Sequence, residues 1–470
     1  MTSEQVVISW KPHSYQKDGV IMMIKQACAG LLYKPGRGKT SVAYMAFRIL
    51  QEKGYVKKML VICPLRPAYV VWPEQKNKYL EFQHFKVNVL HGSDKEELLN
   101  DEEADIFVVN PEGVPWLFGV NPEGKIDKAR SRWISEKFQM LVVDESTKYK
   151  DSSTQRFKII RQVVPLFKRR YILTGSFRPK SLLNLFGQVY ILDEGAHLGR
   201  FITHYRTKYF YPSGYGGYDW VPHPGSAEEI AGKIAPLTQV VDRGADEPKL
   251  LFNDVWIDLD SKSRALYGGM ENEMMAEILA GRVVAANAAV ASSKCRQICN
   301  GAIYSEAGKY SIVHDLKLRA IEDLMEQLDG NPVLITYEFK FDRERLEEKF
   351  KFPCISTGNI EKDKLVIQKF ARGELPAVIG QPQSVALGTD GLQDSCHDII
   401  MMGCPWSFLN YEQVIDRVRR QGNKSDHVTV HRVLCRNTVD ERVISVLQGD
   451  DKSQTSFLKM LEGMANSPRL

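Results

Sequence analysis

Four short groups of residues in this 470-residue chain have the types and spacing for phosphoryl chemistry. The first is YKPGRGKT, Tyr33 to Thr40. Gly36 and Gly38 let backbone N–H groups converge on an anion with no Cβ in the way, and the helix start that follows adds its positive end. Arg37 stands between them, Lys39 has the reach for β- and γ-phosphates, and the Thr40 hydroxyl suits a Mg²⁺ ion. The second group is Asp144-Glu145. Asp144 can hold the same ion, directly or through water, while Glu145 orients and deprotonates an attacking water. The third is Gln413, Arg417 and Arg420, spaced i, i+4 and i+7 and so predicted on one helix face. Arginines there suit forked contacts to phosphate and the charge of a transferring phosphoryl group. The fourth is Gln16, whose amide can donate to and accept from an adenine edge. Taken singly, these could be a glycine turn, a strand cap, a basic helix face and a surface glutamine. Their succession along one chain favours the chemistry.

The elements that must position them are legible as short apolar runs. Ala29, Leu31 and Leu32 lead into the glycine loop, and Ser41 to Gln51 reads as the helix after it. Met59–Pro64, Phe107–Asn110, Met140–Ser146 and Tyr171–Ser176 are predicted strands, and Asp144-Glu145 close the third at the end where open α/β sheets bind ligands. Residues 251–312 read as largely helical, with the compact run Ala285–Val290. The strand rhythm returns at Val333–Tyr337, Ala377–Gly380, Asp398–Gly403 and Val428–Val433, predicting a second parallel sheet. Val439 to Leu461 reads as two amphipathic helices.

With 43% hydrophobic and 26% charged residues, the chain has the composition of a soluble globular protein of two or three domains. A net charge of +5 permits a nucleic-acid partner without implying one. No apolar run reaches the ~20 residues of a membrane span, and the N-terminus lacks a signal-peptide pattern, so a cytoplasmic location without a membrane partner is expected. The eight cysteines include no CxxC. Cys295 and Cys299, one helical turn apart, could join Cys396 and His397 around zinc, but reduced buried thiols fit such a chain better.

These blocks resemble the ordered motifs of superfamily-2 helicases and translocases, on the Swi/Snf-like branch. The resemblance is carried by Gln16 before the loop, GRGKT, VICP with a tryptophan downstream, DES followed by Lys148 and Lys150, LTGS, and the QxxxRxxR of Gln413, Arg417 and Arg420. The run Ser181 to Phe210 is similar to the compact phage and bacterial members. Gln383 to Gln393 resembles the motif that couples nucleotide to nucleic-acid backbone, which brings in Ser384, Gly388 and Thr389. Three departures stand out: Tyr33 occupies the first position of a strict GxxxxGKS/T loop, Ser176-Phe177 replace the usual end of TGTP, and Gly388-Thr389-Asp390-Gly391 replace the commoner Gly-Leu-Asn-Leu.

The resemblance implies two RecA-like α/β lobes with helical protrusions and an ATP site in the cleft between them. Lobe 1 would span residues 1–250, and lobe 2 residues 251–470 with its protrusion at 251–312. ATP and Mg²⁺ are the expected cofactors, with Lys39, Asp144, Glu145, Arg417 and Arg420 as the catalytic groups. Gln16, Gly36, Arg37, Gly38, Lys39, Thr40, Gly388 and Gln413 would bind nucleotide, and Thr40 and Asp144 the metal. The expected partner is DNA, gripped by its backbone with little regard for sequence, together with replication or recombination proteins; the chain itself is expected to be a monomer, in the host cytoplasm if encoded by a phage. A DNA translocase working at forks or junctions is the reading favoured, against the motor of a defence assembly or an ATP-gated clamp. His204 to Pro224, rich in aromatics with Arg206 and Lys208 interleaved, could stack on unpaired bases or simply pack a protrusion.

Overall fold

The computed structural model describes residues 7–175, 182–213, 219–242, 247–279, 285–305, 308–386, 391–420 and 422–450. The chain divides into two compact units, Met1–Arg243 and Gly244–Asp451.

In the first unit the strands are β1 (Cys28–Tyr33), β2 (Met59–Ile62), β3 (Val87–Val89), β4 (Ile106–Val109), β5 (Met140–Asp144), β6 (Arg169–Thr174), β7 (Phe210–Ser213), β8 (Asp219–Pro222) and β9 (Thr238–Val241). Seven of them form one sheet in the order β3-β4-β2-β5-β6-β1-β9, with every neighbouring pair parallel. Parallel pairing requires crossover helices on the sheet faces, so both faces are covered and the strands read as unbroken apolar runs. Leu60, Ile62, Leu141 and Val143 feed one core, and Met59, Val61, Met140 and Val142 feed the other. The β7–β8 pair is a separate antiparallel hairpin.

The second unit contains β10 (Lys249–Ile257), β11 (Ala302–Tyr304), β12 (Tyr310–Ile312), β13 (Val333–Thr336), β14 (Ala377–Gly380), β15 (Asp398–Met401) and β16 (His427–Cys435). Its five-stranded sheet runs β10-β16-β15-β13-β14, again parallel throughout. Both units are thus RecA-like parallel-sheet lobes with helices, as the motif order implies.

The region 251–312 is helical through its middle but departs from the helical expectation at both ends. Its first residues belong to β10, an edge strand paired along its whole length with β16, and its last form the β11–β12 hairpin. Polar residues in the middle of β10 disguise it: the Asn253 amide meets His431 Nδ1 at 3.0 Å, and Asp254 pairs bidentately with Arg432 at 2.5 and 2.8 Å. Between these strands, Ser261–Leu279 and Ala285–Asn300 are helical. Residues 439–450 form the first of the two expected terminal helices, with Val443, Ile444 and Leu447 buried in the sheet's core. The remainder of that tail lies outside the described residues.

Seven of the eight cysteines are buried and all are free. Cys299 faces Cys435 and Asp440 rather than Cys396 or His397, and Asp440 is already paired with the buried Lys317 ammonium at 2.8 Å. Lys317 also donates to Asn300 Oδ1 at 3.1 Å, and Asp440 accepts the Cys435 N–H at 3.0 Å. Removing one partner of a buried pair leaves a charge without compensation, typically at a cost of about 3–5 kcal/mol. Asp440→Ala should therefore shift urea unfolding of the second unit to markedly lower denaturant. Replacing both partners together, Lys317→Met with Asp440→Leu, should recover most of that loss.

Candidate active site

The glycine loop leaves β1 at Tyr33 and enters the helix Lys39–Glu52. Gly36 and Gly38 have φ of +82° and +75°, the left-handed region that glycine enters without strain. Gly38 is needed on a second count, because a Cβ there would lie 2.3 Å from Gln16 Nε2. Gln16, buried on the helix Ser14–Lys25, donates through Nε2 to the Arg37 carbonyl at 3.1 Å and accepts the His13 N–H at 2.9 Å. It holds the turn by its backbone. The Arg37 guanidinium lies 6.0 Å over the Tyr15 ring.

Tyr33 explains how this loop does without a glycine at its start. Its side chain is wholly buried, and the hydroxyl is shared between Gln239 Oε1 on β9, at 2.5 Å, and the Tyr15 carbonyl, at 3.2 Å. Only its backbone carbonyl faces the loop, where it accepts from Lys39 Nζ at 2.7 Å. The ring thus occupies space beside the helix Ser14–Lys25, where a Cβ on Gly19 would come within 2.2 Å of the hydroxyl.

β6 lies between β1 and β5, with Leu32 opposite Thr174 and Leu173 opposite Asp144. The loop and the two acids therefore emerge on one sheet edge, two strand spacings apart, or roughly 9–10 Å. Asp144 is nearly buried; its Oδ2 accepts from Trp72 Nε1 at 3.1 Å and its Oδ1 from the Glu145 N–H at 3.0 Å. Donors on both oxygens orient the carboxylate. A carboxylate and the Thr40 hydroxyl are the hard oxygen donors that Mg²⁺ takes, so the residues fit that ion. Glu145 follows with φ +54° and ψ +54°, an uncommon conformation for a non-glycine residue, which turns its side chain out of the strand alternation. Ser146 then anchors the turn, its hydroxyl donating to the buried Gln188 at 2.8 Å.

In the second unit the helix Phe408–Val418 is N-capped by Ser407 and buries Gln413. Arg417 donates through Nε and Nη2 to the Ala386 carbonyl, at 3.1 and 2.5 Å. Arg420 does not share that helix face as the spacing predicts: Arg419, at φ −82° and ψ +81°, ends the helix, and Arg420 lies beyond it, its Nε donating to the Asp416 carbonyl at 3.2 Å. Ser384 sits on the short helix Pro382–Ala386. Gly388, Thr389, Ser176 and Phe177 lie outside the described residues.

The aromatic stretch divides. Tyr205, Tyr209 and Phe210 are core rings packed near Phe186, whereas Tyr211 on β7 is 44% exposed. Trp220 packs against the core with the Arg206 guanidinium 5.5 Å from its ring centre, and Lys208 pairs with Glu229 at 2.7 Å. Tyr215 and Tyr218 lie outside the described residues. Sequence reasoning did not link Trp72 to Asp144, Gln239 to Tyr33 or Gln188 to Ser146. The one available signal was the lone tryptophan following β2.

A family model described as DEAD/DEAH box helicase matches residues 14–181, the segment that holds Gln16, the glycine loop and Asp144-Glu145. Protein p41 of Acyrthosiphon pisum secondary endosymbiont phage 1 is 28% identical over 429 residues, covering 87% of this chain and 89% of its own length. An uncharacterized ATP-dependent helicase of Mycoplasma genitalium is 22% identical over 92% of this chain, which spans 41% of that longer protein. Among solved structures, the SWI2/SNF2 ATPase core of Sulfolobus solfataricus in complex with dsDNA aligns with 98% of this chain and 97% of its own, at 19% identity and a TM-score of 0.45. With residues 14–181 matching that helicase family and ATP-dependent helicases among its relatives, the chain is similar to the helicases and translocases of superfamily 2, and by type it is an ATPase.

Proposed function

We propose that this chain is an ATP-driven motor that moves along DNA or remodels it. The observation that carries the reading is the convergence of the glycine loop, Lys39 and Asp144-Glu145 on one sheet edge, inside the segment that matches a helicase family. Lys39 would neutralise the β- and γ-phosphates, and Glu145 would take the proton of the attacking water. Mg²⁺ held by Thr40 and Asp144 would supply charge neutralisation at the phosphates when bound. Arg417 and Arg420 would act on charge that develops on the γ-phosphoryl group, and Gln16, in addition to holding the turn, would read the adenine.

DNA as substrate rests on the family match and on the resemblance of the motifs to the Swi/Snf-like branch. Alternate gripping and release of a backbone converts nucleotide turnover into movement and is indifferent to sequence. Forks and branched junctions are the finer assignment. Of the described tyrosine, phenylalanine and tryptophan rings in His204–Pro224, Tyr211 and the partly covered Trp220 are those with exposed surface on which a displaced strand would stack.

Lys39→Ala should abolish ATP turnover. Glu145→Gln should retain ATP binding while stopping hydrolysis, since an amide cannot take the proton; normal turnover by that variant would rule out Glu145 as the base. Arg417→Ala or Arg420→Ala should lower kcat on the order of 10³-fold while changing nucleotide affinity far less. Parallel losses of binding, rate and melting temperature would reduce the arginines to structural ties, of the kind that Arg417 already makes to Ala386. DNA should stimulate the ATPase equally for unrelated sequences, with the logarithm of affinity falling linearly in log salt. A forked substrate that stimulates no better than plain duplex would remove the junction assignment and leave the motor intact.

A further inference from the structure

We infer that Trp72 is a positioning residue for the divalent cation, and that Trp72 to Gln75 brace its two protein ligands as one piece. The inference rests on the assignment of Thr40 and Asp144 as Mg²⁺ ligands.

Trp72 follows the helix Leu65–Val70 and has no exposed surface. Its indole N–H donates to Asp144 Oδ2, while the Glu145 N–H occupies Oδ1. With a donor on each oxygen, the carboxylate cannot rotate about Cβ–Cγ without losing a hydrogen bond, so its remaining lone pairs keep one direction. The same residue is tied to the helix that opens the glycine loop. The Tyr44 hydroxyl, on Lys39–Glu52, donates to the Trp72 carbonyl, and the two rings stack with centroids 5.6 Å apart at 29°. Three residues on, Gln75 Oε1 accepts from the Ser41 hydroxyl at 2.7 Å, directly beside Thr40. One segment therefore holds the first turn bearing Thr40 and the carboxylate of Asp144. An indole suits the place: it donates, carries no charge that would compete with the ion, and is too large to move in a packed site. Partners of this kind, behind a metal ligand, commonly change metal affinity 10–100-fold when lost.

Trp72→Phe keeps an aromatic ring for Tyr44 and deletes the donor. The Mg²⁺ concentration for half-maximal ATP hydrolysis should rise about 10-fold or more. Mn²⁺ binding, followed by electron paramagnetic resonance with a non-hydrolysable ATP analogue present, should weaken to a similar degree. Nucleotide binding in EDTA and the melting temperature should stay as in the parent chain. Unchanged Mn²⁺ affinity would overturn the inference, as would loss of EDTA-insensitive nucleotide binding together with a lower melting temperature, for the indole would then be packing only. Tyr44→Phe removes a single hydroxyl and tests the brace if Trp72→Phe does not fold: weaker Mn²⁺ binding supports it, and unchanged binding overturns it. A parent chain that hydrolyses no ATP at any Mg²⁺ level sinks the ATPase mechanism itself, whereas Mg²⁺-dependent turnover identical in parent and Trp72→Phe sinks this inference alone.

Discussion

The parallel pairing of β5, β6 and β1 is the constraint on which the chemistry of the first unit depends. It brings the C-terminal ends of all three strands to one edge, so the glycine loop and the paired acids meet despite more than a hundred residues of intervening chain. Register matters as much as direction. A slip of one residue would turn Asp144 to the opposite face, since side chains alternate along a strand. Here both faces are apolar, and Met140 and Val142 are buried as fully as Leu141 and Val143. Hydrophobic patterning alone therefore leaves the register of β5 degenerate. The polar contact at its end from Trp72, on another segment, breaks the tie.

The second unit solves a similar problem with buried charge. Arg345 donates to the Asn300 and His314 carbonyls at 2.8 and 2.6 Å and reaches Asp315, while Asn300 donates to Asp342 at 2.8 Å. Asp342 also accepts the N–H groups of Glu338 and Phe339, where the chain leaves β13. Burial pushes its carboxyl up to about 6, the mark of a group whose ionised form is costly at this place. Buried ionic networks are weak evidence for stability, and their best-attested use is to specify one arrangement among several. Here that arrangement joins the end of the helix Ala285–Asn300 to the helix Lys340–Phe350 and to the turn that leaves β13.

What could be read in the sequence follows from this physics. Strands covered on both faces announce themselves as apolar runs, so β2, β4, β5, β13, β14 and β15 were legible. β3 and β9 have three and four residues with polar members, and β10 carries Asn253-Asp254 at its centre; none offered a run. The chemical residues were legible because their spacing reports local geometry, a turn or a helix face. That logic failed at Arg420, where the helix ends without a glycine or proline at Arg419 to announce it. Tyr205 and Tyr209, four apart on the helix Ile202–Tyr209, could have been placed on a single buried face by their period. Contacts such as Trp72 to Asp144 span 72 residues and leave no local trace.

A tyrosine at the head of the glycine loop changes the statistics of the unfolded chain as well as the packing of the folded one. Glycine at that point would visit many more backbone conformations before folding, each of which must be given up when the loop is ordered. Tyr33 visits fewer, and its hydroxyl then fastens the loop's first residue to β9 and to the helix Ser14–Lys25. The loop is thus shaped in advance of any ligand, with freedom left mainly to Gly36 and Gly38. Less ordering entropy remains to be lost when phosphates arrive, so more of each contact can appear as affinity.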